Sequence, residues 1–471
     1  MLANHIAGLI KKAFGGPLTP SQESLADVLG EFTMDDAEDT MLVVSGYAGT
    51  GKTTLLSAYV NMLSDMNMKP VLLAPTGRAA KVFSSYSGHQ AYTIHKKIYR
   101  QRSSRDGMGK FVLDRNLHSR AIFIVDEASM ISGQSQEGSI FGSGCLLDDL
   151  IEYVYNGRGC KLILSGDTAQ LPPVGMDISP ALSIENLGKY SDHIKTFVLS
   201  EVVRQKKESG ILMNATRIRN RIDKNDFSLP LFSLQGYDDI QRISGEELLE
   251  SLNSSYESSG IEDTIILGRS NKRVNKYNEG IRRSILFREE ELVPGDILMV
   301  VKNNYFWPAD EEDVPDFIAN GDIMEVIRIK KHSEQYGYRF ADCILRLADY
   351  DTEIHAKILL DVLAEEGPSL STEKNRLLFY SVLEDYNHLK PKRKQYEMVK
   401  KNEFFNAIQV KYSYAVTCHK SQGGQWKTVY IDQGYIHKDS INREYLRWLY
   451  TALTRATEKI CLVNFPEWMF E

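Results

Sequence analysis

The chain has 471 residues, too many for one hydrophobic core, and its length suggests about three or four domains. Its composition is that of a globular protein, 42% hydrophobic and 25% charged, and no apolar run reaches the roughly 18 residues a membrane span needs. A formal net charge of −7 excludes a uniformly basic surface, so any nucleic-acid site must be a local groove. The five cysteines are scattered without a C-x-x-C pair, which speaks against zinc or a disulfide framework and for a reducing cytosol.

In chain order, residues 1–14 read as a helix and not a signal peptide, since no small-residue cleavage site follows. The apolar run 41–44 then leads into Gly46-Tyr-Ala48-Gly49-Thr50-Gly51-Lys52-Thr53-Thr54, which fits G-x-x-x-x-G-K-[ST], and a helix-like stretch follows at 55–63. Such glycines let successive N–H groups converge on a phosphate at a helix N-terminus. Lys52 is expected to neutralise the β- and γ-phosphates of ATP and Thr53 to complete a Mg²⁺ shell.

Further apolar runs at 71–74, 121–125 and 161–164 alternate with helix-like segments, the pattern of βαβ units in a parallel sheet with ligands at the strand C-termini. After the first of these, Pro75-Thr76-Gly-Arg78 and then Thr93-Ile-His95 place small polar groups where amides can bind the phosphates of a strand. After the second come Asp126 and Glu127: Asp126 is expected to hold Mg²⁺ and Glu127 to deprotonate the attacking water. After the third, Gly166-Asp167-Thr-Ala-Gln170-Leu-Pro-Pro places Gln170 at the γ-phosphate, able to report its loss. Runs at 264–267, 407–415, 428–431 and 460–463 predict a second sheet. Short pieces at 297–301, 323–329 and 343–347 predict a small β-barrel inserted in it. Residues 132–144 read as a mobile Gly/Ser-rich loop. Residues 303–316 read as a partner surface or a barrel loop, and basic 390–401 as a solvated helix face or a nucleic-acid contact.

These blocks, in this order, resemble a superfamily-one helicase, within it the RecD-like and Dda-like branch that moves 5′ to 3′. The resemblance continues through Leu199-Ser-Glu-Val-Val-Arg204-Gln, Thr417-Cys-His419-Lys420-Ser-Gln422-Gly-Gly, and Tyr450-Thr-Ala-Leu-Thr-Arg455-Ala. It implies that Arg204 and Arg455 reach the γ-phosphate from a second domain, and that Thr417, His419, Lys420 and Gln422 couple DNA to ATP. By the same resemblance Leu18-Thr-Pro-Ser-Gln22 is an adenine-reading motif.

The implied architecture is α/β: two RecA-like P-loop domains, a β-hairpin insert in the first and an SH3-like barrel inserted in the second. The expected boundaries are an N-terminal helical segment 1–40, domain one 41–198 with its insert near 96–118, domain two 199–290 and 402–471, and the barrel 291–401. Turn formers between two aromatic arms mark the hairpin. In the resembled branch such an insert is a duplex-splitting pin. Phe111 is the candidate for its base-stacking aromatic and Tyr99 the alternative; otherwise both rings simply pack the hairpin on the core.

The implied activity is ATP-driven 5′-to-3′ unwinding of DNA by a cytoplasmic monomer that engages single-stranded and tailed duplex DNA. A single-strand-binding protein or a replication or repair factor is the expected protein partner. The rivals are an RNA-directed motor and a helicase-like subunit of a nuclease or recombination complex.

Overall fold

A computed structural model describes residues 2–102, 110–134, 141–201, 209–307, 318–348, 350 and 352–471. A six-stranded, all-parallel sheet runs in the order Ala91–Thr93, Pro70–Ala74, Ile122–Val125, Lys161–Gly166, Met41–Gly46, Ile194–Leu199. Its central strands carry near-continuous apolar runs, Leu42–Val44, Ile122–Val125 and Leu162–Leu164, because both faces are covered. Met41 and Val43 join one core while Leu42 and Val44 join the other, and Phe123 and Val125 alternate in the same way with Ile122 and Ile124. Helices Leu2–Phe14, Pro20–Met34, Lys52–Asp65 and Gly77–Ser87 cover one face, and helix Leu146–Tyr155 covers the other. The acid-bearing, Gly-Asp and phosphate-loop strands are therefore three neighbours, and their C-terminal ends deliver Asp126, Asp167 and the loop side by side.

The second sheet, also parallel, has the order Ala415–Thr417, Thr264–Gly268, Trp426–Asp432, Ala456–Val463, Ile240–Ile243. Strands Ile297–Val300, Ile323–Gln335, Tyr338–Leu347, Thr352–Leu359 and Ile408–Tyr412 close a barrel around Val300, Met324, Leu345 and Ile358. Its last two strands are parallel, which demands a crossover; helices Thr372–Glu384 and Lys392–Lys400 make it. At the junction with the second sheet, fully buried Asp296 accepts from Arg282 at 2.9 Å and from Arg288 at 2.7 Å.

One expected strand has to be divided. The apolar run at 407–415 was assigned to the second sheet, but Ile408–Tyr412 closes the barrel and only Ala415–Thr417 joins that sheet. The chain changes partners at Ser413, whose N–H donates to Ile297, and at Tyr414, whose carbonyl accepts from Ile266. Alternation along a run shows which residues point inward but not which sheet they border. The strands Ile194–Leu199 and Ile240–Ile243 were not expected; both are short edge strands with polar residues on one side. Of the loop at 132–144, Phe141 is 7% exposed and packs into the first core; residues 135–140 lie outside the described residues.

Candidate nucleotide site and nucleic-acid interface

The phosphate loop bends through Gly49 at φ 79° and Gly51 at φ 80°, and Gly51 caps helix Lys52–Asp65. Side chains are excluded there by contact as well: a Cβ on Gly51 would lie 2.6 Å from the Gln22 amide nitrogen. Gln22 is fully buried, its Nε2 donates to the Thr50 carbonyl at 3.0 Å, and its Oε1 accepts from the Thr19 N–H at 3.0 Å. It lines the pocket while bracing the loop. Lys52 Nζ donates to the Gly46 carbonyl at 2.5 Å and the Tyr47 carbonyl at 3.0 Å, so its ammonium rests within the loop. Ala48, Gly49 and Thr54 line the same pocket, whereas Thr50 is fully buried beneath it.

Asp126 accepts from Thr53 Oγ1 at 2.7 Å, from Ser165 Oγ at 3.0 Å and from the Glu127 N–H at 3.0 Å. Thr53 and Asp126 are thus one oxygen cluster of the kind a hard divalent cation takes. Glu127 adopts φ 53°, which turns its carboxylate from the strand into the pocket. Burial raises that carboxyl above the ordinary carboxylate range, and Arg455 opposes the shift most strongly. Gln170 is 4% exposed and its Oε1 has no partner within the protein, although it lines the pocket. A buried acceptor left open beside Lys52, Glu127 and Arg455 fits a polar phosphoryl group or water.

The far wall comes from the second sheet: Gly423, Gln425, Thr454 and Arg455. Arg455 is 2% exposed and donates to the Thr451 carbonyl at 3.2 Å and the Gly424 carbonyl at 3.3 Å. Arg204 lies outside the described residues.

The sheets are also joined by two residues that the sequence reading left without a role, Asp167 and Tyr450. The Tyr450 hydroxyl donates to Asp167 at 2.7 Å, and the Ala48 N–H donates to Asp167 and the Tyr450 oxygen, both at 3.0 Å. Next to them, the Leu171 N–H donates to Thr451 Oγ1 at 2.9 Å and Gln422 Nε2 donates to the Leu171 carbonyl at 2.7 Å. The residue just past Gln170 is therefore bonded directly to the loop that carries Thr417 to Gln422. The only sequence signal for the clasp was a Gly-Asp at a strand end. Tyr450→Phe should lower stability by about 1–3 kcal/mol, since Asp167 loses a donor in a buried site. A denaturant melt checks it, and an unchanged midpoint would mean the clasp contributes nothing.

The expected nucleic-acid residues divide in two. Thr76 and Thr93 cap helices Gly77–Ser87 and Ile94–Ile98, accepting the Ala79 and Lys96 N–H groups at 3.2 Å each, with Pro75 at the preceding strand end. Across the cleft, a Cβ on Gly423 would meet Thr76 Oγ1 at 3.0 Å, so the loop that follows Thr417 and His419 sits against this region. Lys420 pairs with Asn320, and burial pushes its ammonium down to about 8. Arg78 spans the cleft: it donates to the Gln425 carbonyl at 3.2 Å and lies 4.0 Å above the Trp426 ring.

His95 packs 4.9 Å from the Phe141 ring, and burial pushes its imidazole down to about 4. One assignment needs correction. The hairpin Tyr99–Arg102 and Lys110–Leu113 is present, with its turn outside the described residues. Phe111, however, is 4% exposed, 4.8 Å from Phe141 and 5.1 Å from Tyr305. Tyr99 is 6% exposed and donates to Asp149. Both rings pack the hairpin on the core and neither offers a face to a base, because an arm close to the sheet buries its aromatics.

Fold and site together define a phosphate-loop ATPase whose pocket is shared between two parallel α/β sheets. The AAA domain family matches residues 20–228 and the UvrD-like helicase C-terminal domain family matches 412–463. An uncharacterised protein of Acanthamoeba polyphaga mimivirus is 24% identical over 93% of this chain and 98% of its own length. The ATP-dependent RecD2 DNA helicase of Deinococcus radiodurans is 24% identical over 95% of this chain, and the ATP-dependent DNA helicase dda of Enterobacteria phage T4 is 25% identical over 61%. The chain spans 49% and 62% of the lengths of these two helicases. A solved Pif1 helicase from Bacteroides, in complex with ADP-AlF3 and ssDNA, covers 97% of the chain at 16% identity and TM-score 0.48. The chain thus carries matches to an AAA domain and to a UvrD-like helicase C-terminal domain, and it is similar along most of its length to the RecD2 helicase.

Proposed function

We propose that this chain is an ATP-driven DNA helicase that moves 5′ to 3′ on single-stranded DNA and unwinds tailed duplexes. The observation that carries the reading is one continuous assembly. Glu127 and Gln170 face Arg455 of the second sheet, and the residue after Gln170 is hydrogen-bonded to the coupling loop through Gln422. Lys52 serves as the phosphate cation, Glu127 as the base for the attacking water, and Arg455 with Arg204 as the charges that complete the site on closure. Gln22 serves at the adenine end. Thr53 and Asp126 would hold Mg²⁺, which neutralises phosphate charge when bound. Loss of the γ-phosphate is sensed at Gln170 and passed to Thr417, His419, Lys420 and Gln422, while Thr76 and Thr93 contact the strand through backbone amides beside Pro75, which has no N–H to donate.

In this reading the sheets are RecA-like domains, at 41–199 and at 200–290 with 413–471. Segment 1–40 buttresses the first of them, and the barrel between 291 and 412, closed by Ile408–Tyr412, is SH3-like. The protein acts in the cytoplasm as a monomer, in repair or recombination, alongside a single-strand-binding protein or a replication factor. ATPase should rise with a single-stranded DNA and not with an RNA of the same sequence, and unwinding should require a 5′ tail. Equal stimulation by RNA would favour an RNA-directed motor, and unwinding only of 3′-tailed duplexes would overturn the polarity.

A further inference from the structure

The crossover helices of the barrel form a second surface, and none of their residues lines the nucleotide pocket. Residues 372–401 carry eight Lys or Arg against four Asp or Glu, in a chain whose net charge is −7. Helices Thr372–Glu384 and Lys392–Lys400 turn Leu378, Val382 and Val399 inward, against Phe340 and Leu359 of the barrel. What remains outside is not the usual solvated helix face. Tyr380 is 48% and Tyr396 42% exposed, and the two rings flank Phe379 at 5.6 and 5.7 Å, making a three-ring strip across both helices. Cations border each end. The Arg376 guanidinium lies 5.7 Å over Tyr380, exposed Lys392 stands one helical turn before Tyr396, and exposed Lys394 lies on the same turn.

Exposed rings cost solvation unless something stacks on them, and cations beside them select an anionic partner. Bases joined by phosphates satisfy both demands, but only where the bases are unpaired, since a duplex hides its ring faces. An acidic peptide would use the cations and leave the rings unused. We propose that this helical pair is a binding site for single-stranded DNA outside the motor track, taking the strand displaced as the duplex opens. The proposal rests on the helicase reading for the source of that strand.

The test uses the full chain and two variants, Tyr380→Ser with Tyr396→Ser, and Lys392→Gln with Lys394→Gln. Binding is measured to three forks that share a 5′ tail and whose other arm is absent, single-stranded or double-stranded. The parent should bind the fork with the single-stranded arm about tenfold more tightly than the other two, as stacking of one or two bases implies. The tyrosine variant should lose that preference. The lysine variant should lose part of it, with a salt slope smaller by about 1.4, for two single-strand phosphate contacts at roughly 0.7 each. Melting temperature, and ATPase stimulated by a short oligonucleotide, should match the parent in both variants. A parent without preference, variants that keep it, or equal gain from a double-stranded arm would overturn the proposal. A parent whose ATPase ignores the oligonucleotide while the arm preference persists would overturn the motor reading instead.

Discussion

Glu127→Gln should reduce ATP turnover by about 10³-fold or more while ATP still binds, because the amide keeps the shape of the pocket and cannot take a proton. The left-handed backbone at Glu127 is fixed by neighbouring bonds, its own N–H donating to Asp126 at 3.0 Å, so the substitution leaves the turn in place. The pH dependence follows from the raised carboxyl. A base works only when deprotonated, so turnover should fall as pH drops through a value above the roughly 4.3 of an ordinary glutamate. Arg455 and Lys52 pull the carboxyl back down, so a variant lacking either cation should shift that acid limb to still higher pH. Rates and nucleotide affinities measured across pH test this. Turnover of Glu127→Gln near the parent rate would remove Glu127 from the role of base.

Arg455→Ala should lower DNA-stimulated turnover by about 10³-fold, the usual contribution of an arginine finger. Arg455 is delivered from the second sheet, so affinity for nucleotide, held chiefly by the loop at Gly46–Lys52 in the first, should change far less. Arg455→Lys should fail almost as badly, since one guanidinium donates to two carbonyls and an ammonium lacks that fork. Single-turnover hydrolysis and nucleotide binding, measured side by side with a melt, separate the possibilities. If turnover survives and only the melting temperature falls, Arg455 is a structural tie between Thr451 and Gly424.

The phosphate loop, the acid pair and the Gly-Asp turn were legible because each is a local object: an apolar strand, then residues whose backbone freedom or charge is needed at its end. Gln22 is expected to read the adenine, and what its bonds to Thr19 and Thr50 show is a brace for the loop. Phe111 was misread for a complementary reason. Aromatic arms on a hairpin look the same in sequence whether they meet solvent or, as here, Phe141 and Tyr305, which come from distant segments. The clasp of Tyr450 on Asp167 and Ala48 was not legible either, since it joins groups hundreds of positions apart that become partners only when the sheets face one another.

By itself the sequence determined the elements and their chemistry. Apolar runs between glycine turns specify parallel strands, and Gly49, Gly51, Lys52 and Thr53 specify a phosphate cradle wherever that loop is placed. Tertiary structure alone decided which groups meet. It brought Arg455 to Glu127, gave the run ending at Tyr412 to the barrel and the next to the second sheet, and buried the hairpin rings. The physical reason is range. Backbone preference and alternation act over a few residues, whereas burial and cross-cleft hydrogen bonds depend on surfaces that exist only after the sheets have formed and packed.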